Sequence, residues 1–228
     1  MNFLRKFVTL AVLAAAGSGL TPAVASETPG QLDLVTVAAC LDVPDSRATL
    51  AGALAGLGWQ PVLPADLDDT ALEGLALYFT SQHVFDAAPD MRLSSAWERA
   101  RTNARGLTRL APTPGSPSYF TSPGGSVLRV TLQQDQWLMG LYCTMILSPG
   151  DMARSLDGVA PLVGMPLADL PPFKSLPEEA TRDDTGRRSF RLTLVNASEL
   201  AEKIGTNPPF AGIVETALET APQPGISQ

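Results

Sequence analysis

The chain reads as an α+β protein: an antiparallel sheet of three to four strands, around residues 118–147 and 188–195, with helices packed mainly on one face. Three observations predict this. From Val127 to Gln133 the residues alternate, with Leu128, Val130 and Leu132 on one side and Arg129, Thr131 and Gln133 on the other, the period of a half-buried strand. From Trp137 to Leu147 a second run is apolar on both sides. Met139, Leu141, Cys143 and Met145 share one face, and Leu138, Tyr142 and Ile146 share the other, the pattern of a central strand covered twice. Before Pro112 the apolar residues recur at helical rather than alternating spacing, so helices come first and strands later, the segregated order of an α+β chain.

The N-terminus carries an export pattern. Arg5 and Lys6 precede an apolar stretch from Phe7 to Ala16, and small residues end in Ala23-Val24-Ala25. A basic start, a short apolar core and an A-x-A site predict a signal peptide over residues 1–25, cleaved after Ala25. The core is shorter than the ~20 residues a spanning helix needs, which argues against a retained anchor. The rest, residues 26–219, is expected to form one globular domain, with a disordered tail over 220–228.

Within the domain, residues 31–41 suit a short helix through Leu32, Val35 and Ala39, with a strand as the alternative. Asp45 can cap a second helix striped by Leu50, Leu54 and Leu57 and ended by Gly58. Trp59 then packs on the core, and Pro61 and Pro64 frame an extended connection. Asp66 caps a third helix carrying Leu67, Ala71, Leu72, Leu75 and Phe79. Residues 80–91 are a connector holding His83. Leu93, Trp97, Ala100, Ala104 and Leu107 stripe a fourth helix, expected to be the longest, with Ser95 to Glu98 in a capping-box pattern.

Prolines 112, 114 and 117 restart the chain as extended structure. Tyr119-Phe120 is a short strand, and Ser122-Pro123-Gly124-Gly125 is a turn into the central hairpin. Ser148-Pro149-Gly150-Asp151 is a helix start, with Met152, Leu156 and Val159 inward. Residues 166–177 read as a Pro-rich loop anchored by Leu167, Leu170 and Phe173, and 178–188 as a charged exposed segment. Ser189 to Val195 is a strand. Asn196 or Ser198 caps a short helix that Gly205 stops, and 211–218 reads as a weak helical stretch.

Composition limits function. Formal charge is −7; loss of Arg5 and Lys6 with the signal leaves 14 basic against 23 acidic residues, or −9. An acidic exported chain is a poor ligand for nucleic acid or anionic membrane. Arginine outnumbers lysine 13 to 3, and with abundant Ala, Gly, Leu and Pro this fits a GC-rich bacterial genome, hence a periplasmic or secreted protein. In such an oxidising compartment Cys40 and Cys143 are expected to form a disulfide. Closing a loop of about 100 residues is worth up to ~4.7 kcal/mol in the chain-entropy treatment. Val37-Ala38-Ala39-Cys40 also resembles a lipobox, but Pro22, Glu27, Pro29 and Asp33 separate it from the apolar core.

Chemistry is sparse. There is no Gly-x-Ser-x-Gly elbow, His-Glu-x-x-His, P-loop or Gly-x-Gly-x-x-Gly. The one histidine, His83, could act as a base oriented by Asp86, or simply end a helix. Asp66, Asp68, Asp69 and Glu73 could hold calcium or cleave a glycoside, but acids at a helix start also complement its dipole. Arg101, Arg105 and Arg109 recur every four residues away from the Trp97 stripe, a basic face that could contact an anion or an acidic partner. Arg187, Arg188 and Arg191 form a second basic group. Trp59, Trp97 and Trp137 could line a cleft or fill the core. Asn196-Ala197-Ser198 matches a glycosylation sequon that is silent in a bacterium.

No catalytic residue, metal site or cofactor is assigned. The expectation is a non-catalytic periplasmic binding or accessory module, acting on an unknown protein or small molecule. The alternatives are an exported hydrolase using carboxylates and an inhibitor or immunity-type protein that docks on another protein.

Overall fold

The computed structural model describes residues 32–42, 44, 46–86, 92–113, 115–134, 138–152, 168–176 and 179–221. The expected signal sequence, Asp45, Trp137, Leu156 and Val159 (the last two expected to face inward) and residues 222–228 of the expected tail lie outside these. Five helices are described: α1 (Leu32–Cys40), α2 (Arg47–Gly56), α3 (Asp69–Asp86), α4 (Leu93–Leu107) and α5 (Ala197–Ile204). The strands are β1 (Gln60–Val62), β2 (Ser118–Thr121), β3 (Val127–Gln134), β4 (Met139–Leu147), β5 (Ala168–Leu170), β6 (Phe173–Ser175), β7 (Glu179–Asp183), β8 (Gly186–Val195) and β9 (Gly212–Thr220).

The α+β class holds, but the sheet is much larger than three to four strands. All nine described strands join one sheet in the order β1-β2-β3-β4-β9-β8-β6-β5, with β7 pairing β8 off that path. Every pairing is antiparallel. β2 to β4 run as a meander, as the turn residues predict, with Gly125 at the β2–β3 turn at φ +83°; β1 pairs β2 from across the intervening helices α3 and α4. Beyond β4 the chain crosses to the far side of the sheet and returns through β9, which fills the gap between β4 and β8.

That central strand is the main misreading. In β9, Ile213, Val214, Ala217 and Leu218 imitate a helical repeat. Burial along the strand in fact alternates from Val214 to Thr220, with Glu215, Ala217 and Glu219 half-buried on one side, but two glutamates four residues apart also fit the polar face of a helix. Its β-branched residues Ile213, Val214, Thr216 and Thr220 suit the pleat better than a helix. Residues 168–175 of the Pro-rich segment fold as the short β5–β6 hairpin around Pro171–Pro172, at the sheet's edge, where proline's missing N–H costs no ladder bond; Leu167 lies outside the described residues. Of the charged stretch 178–188, residues 179–188 form β7 and the start of β8, an exposed hairpin that charged side chains tolerate.

The helices also lie on both faces rather than mainly on one. Pleating sends Leu128, Val130, Leu141, Cys143, Met145, Leu192, Val214 and Leu218 to one side, where Cys40, Leu50, Leu54 and Trp59 cover them. Val127, Ile146, Ile213, Tyr119 and Phe173 point the other way and meet Leu75 and Leu77 of α3, Trp97 and Ala100 of α4, and Leu200 of α5. α3, at 18 residues, outruns the 15 of α4, because residues 80–86 continue the helix instead of opening a connector.

Local signals set the helix ends. Ser46 caps α2 by accepting from the Thr49 N–H at 3.0 Å. Asp68, not Asp66, caps α3, accepting from Ala71 N–H at 2.7 Å, while Asp66 sits in a preceding 3₁₀ turn. Asn196 caps α5, and Gly205, at φ +75°, closes it. Arg92 rather than Ser95 precedes α4, and its side chain forms no cap.

Two buried features hold the layers together. The Cys40–Cys143 disulfide ties the end of α1 to the middle of β4, with Cα atoms 6.1 Å apart. Above it the Trp59 indole N–H donates to the Thr36 hydroxyl at 2.8 Å. Just past the end of β4, Asp151 is 1 % exposed and accepts from the Ser122 hydroxyl at 2.9 Å and from the Ser126 hydroxyl. Ser126 Oγ in turn accepts from the Ser148 N–H. This knot locks the β2–β3 turn to the helix start after β4.

Candidate functional site

The helices on the second face cover only half of it. Register shows where the cover stops. Across β3, β4, β9 and β8, the row Val127–Ile146–Ile213–Thr193 is buried beneath α3 and its neighbours. The next row on that face is Arg129–Thr144–Glu215–Arg191. Beyond it come Thr131–Tyr142–Ala217–Ser189 and then Gln133–Gly140–Glu219–Arg187. The strands carry on while the apolar residues give way to polar ones, and these three rows floor an open cleft of about 490 Å³. Tyr78 and Gln82, from the last turns of α3, form its wall.

The charges on this floor are arranged in cross-strand pairs. Arg191 faces Glu215 at 3.8 Å, and Arg187 faces Glu219 at 3.5 Å. Each carboxylate also has a neutral partner: Gln82 Nε2 donates to Glu215 at 3.0 Å, and the Tyr142 hydroxyl donates to Glu219 at 3.3 Å. Arg129 lies at the boundary with the covered half, beside the buried Tyr119 that is its cross-strand partner. Burial pushes the Tyr119 phenol up, against the nearby Arg129 charge and its hydrogen bond. Burial, then the Glu215 charge, raises Tyr78; the hydrogen bond with Thr144 and the Arg129 and Arg191 charges oppose that. Tyr142 is raised by burial and by Glu219. Both cleft phenols therefore stay protonated at neutral pH and can donate.

The middle row is the low point of the floor. Thr131, Ala217 and Ser189 are small. The one large member, Tyr142, lies over Gly140 in the next row, where a Cβ would come within 2.6 Å of its ring. Thr131 is 6 % exposed, and its hydroxyl oxygen has no hydrogen-bond partner.

The residues singled out from the sequence fall largely elsewhere. Arg101 and Arg105 lie on α4, but Arg109 falls in the turn after its end at Leu107, so the expected basic face holds only two of the three, and none lines the cleft; Arg101 pairs with Glu98 at 3.3 Å. His83 ends α3 next to Gln82 but does not line the cleft. Asp66, Asp68 and Asp69 stand at the α3 start, and among the described residues no three His, Cys, Asp or Glu side chains gather as a metal site would need. Trp59 and Trp97 are core residues. The Arg187, Arg188 and Arg191 group is split by the pleat. Arg187 and Arg191 enter the cleft, whereas Arg188 donates to the Leu41 carbonyl at 3.1 Å and pairs with Asp183.

Glu215 and Glu219 were missed because β9 was read as helical. The signal that could have found the cleft is the polar side of β3, Arg129, Thr131 and Gln133, on a strand between two buried neighbours. Compared with protein-family models, curated proteins and solved structures, the chain matches none.

Proposed function

We propose that the protein is an exported, non-catalytic binding module of the periplasm or external medium, with its ligand in the polar cleft of the sheet. The observation that carries the reading is the change from an apolar to a polar floor within one continuous sheet face. Polar and charged residues from four strands converge there, and the 490 Å³ volume is that of a small-molecule site. The export pattern of residues 1–25 and the buried disulfide support the compartment. No helix among the described residues is long and apolar enough to cross a membrane.

A carboxylate hydrolase is less well supported. Glu215 and Glu219 are four strand residues apart, roughly 13 Å along the chain. Paired catalytic carboxyls of glycosidases stand about 5–9.5 Å apart. Both glutamates also face arginines across the ladder. A docking protein would need a contiguous exposed apolar patch. The large exposed apolar residues described, Leu63, Leu110 and Leu138, stand on separate segments.

The test is a native mass spectrum of the exported protein purified without reductant, beside an Ala217→Trp variant that fills the cleft floor. A mass for residues 26–228 less two hydrogens, plus a retained small molecule that the variant lacks, is expected. A ligand retained equally by both would place binding elsewhere and overturn the reading.

A further inference from the structure

We infer that the cleft takes a small organic anion, with a carboxylate or phosphate head held between Arg129 and Thr131 and a body lying over Ala217. The inference rests on the binding-cleft reading above and adds the chemical class of the ligand.

The argument starts from the pairing of charges. Three arginines and two glutamates line the cleft. The two glutamates are matched, across the strands, by Arg187 and Arg191. Among the described residues no carboxylate stands within ion-pair distance of Arg129. Its polar neighbours are uncharged, namely the Tyr119 phenol and, across the ladder, Thr144. A half-buried guanidinium held at a fixed place on a rigid strand, with neutral neighbours, favours an anion. Its planar fork suits the paired oxygens of a carboxylate or phosphate.

The second observation is independent of charge. Thr131 follows Arg129 by two residues on β3, so both point to the same side, roughly 7 Å apart. Its hydroxyl is nine-tenths buried and has no partner, a costly state for a polar group. An oxygen acceptor entering beside Arg129 would accept a hydrogen bond from that hydroxyl. Tyr142, opposite Thr131, leans away over Gly140 and leaves the space above Thr131 and Ala217 for the ligand body, with its ring as a side wall. A cationic ligand finds no equivalent place, because each cleft carboxylate already has a guanidinium and a neutral donor.

The test is calorimetric titration of the full exported protein with four matched probes: benzoate, phenyl phosphate, benzamide and benzylammonium. One or both anions are expected to bind and the neutral and cationic probes to bind roughly tenfold or more weakly. Which anion binds separates the carboxylate from the phosphate source. Arg129→Gln should weaken the anion roughly tenfold or more, and Arg129→Lys less, because it keeps the charge but not the fork. Thr131→Val, a change of shape by one oxygen, should weaken it by a smaller factor. Thermal melts of each variant confirm that it is folded.

Benzamide or benzylammonium binding as tightly as the anions, and lost in Ala217→Trp, would overturn the anion inference while leaving the cleft a binding site. Anion binding that Arg129→Gln leaves unchanged would overturn it too. Failure of both anions to bind the wild-type protein would also overturn it. If in addition no host-derived ligand depends on Ala217, the binding-cleft reading falls with it.

Discussion

Arg187 on β8 and Glu219 on β9 are direct cross-strand partners, their charged groups 3.5 Å apart, and four residues along each strand Arg191 and Glu215 repeat the arrangement. The two pairs mark the register of the sheet's central ladder. A slip of one residue would turn all four charges into the apolar layer beneath α1 and α2. Both pairs are partly exposed, so each contributes modestly to stability. Reversing one charge, as in Glu219→Arg, is expected to cost about 1 kcal/mol by placing like charges opposite one another. The double exchange Arg187→Glu with Glu219→Arg should recover most of it in urea titrations. A double variant no better than the single ones would show that the pair is not coupled.

Gly140 should resist any side chain. The Tyr142 ring occupies the space of its missing Cβ. Gly140→Ala is expected to cost roughly 1–3 kcal/mol through overpacking and to move the ring off Glu219. Chemical denaturation gives the cost, and the tyrosine fluorescence or ring resonances of Tyr142 report the movement.

The disulfide should be both closed and hard to reach. Cys40 is fully buried and Cys143 is 1 % exposed. Unfolded, non-reduced protein should take up no thiol label, and labelling of both cysteines would refute the bridge. Replacing both by serine is expected to cost about 2–5 kcal/mol, since the bridge closes a separation of 103 residues.

Asp151 is expected to matter more than a surface acid. Asp151→Ala would strip the acceptor from the buried hydroxyls of Ser122 and Ser126, at roughly 2–4 kcal/mol. Ser122→Ala, which removes one donor and leaves the other, should cost less. Equal costs in equilibrium unfolding would contradict the arrangement.

Alkali should destabilise the protein. Burial is the first cause that raises Tyr78, Tyr119 and Tyr142 above the ordinary 10.0. The folded chain therefore keeps protons that the unfolded chain has released. This stabilisation is fully present below pH 10 and is lost as pH climbs through 10 toward the folded values. Melting temperature should be insensitive to these groups below pH 9 and fall above 10, and Tyr119→Phe should flatten that fall.

What could be read from the chain followed where a single face meets water. β3 alternates because α1 and α2 bury one of its sides and the cleft leaves much of the other polar. The caps at Ser46 and Asn196 and the stop at Gly205 are local, so short stretches of sequence suffice to place them. The pairing of two cysteines in an oxidising setting was also legible, because there is only one way to pair them.

The site was not legible in the same way. Its four arginine and glutamate partners sit on β8 and β9, and the residues between them give no sign that the strands are neighbours. β9 alternates in burial from Val214 to Thr220, but Glu215 and Glu219 stand four residues apart, a spacing that equally fits the polar face of a helix. The sequence alone determined which residues prefer strands, turns and caps, because those preferences rest on contacts within a few residues. Only the tertiary structure decided that β9 enters between β4 and β8. That placement depends on long-range ladder bonds to β4 and β8, and it brings Arg129, Thr131, Glu215 and Glu219 onto one floor.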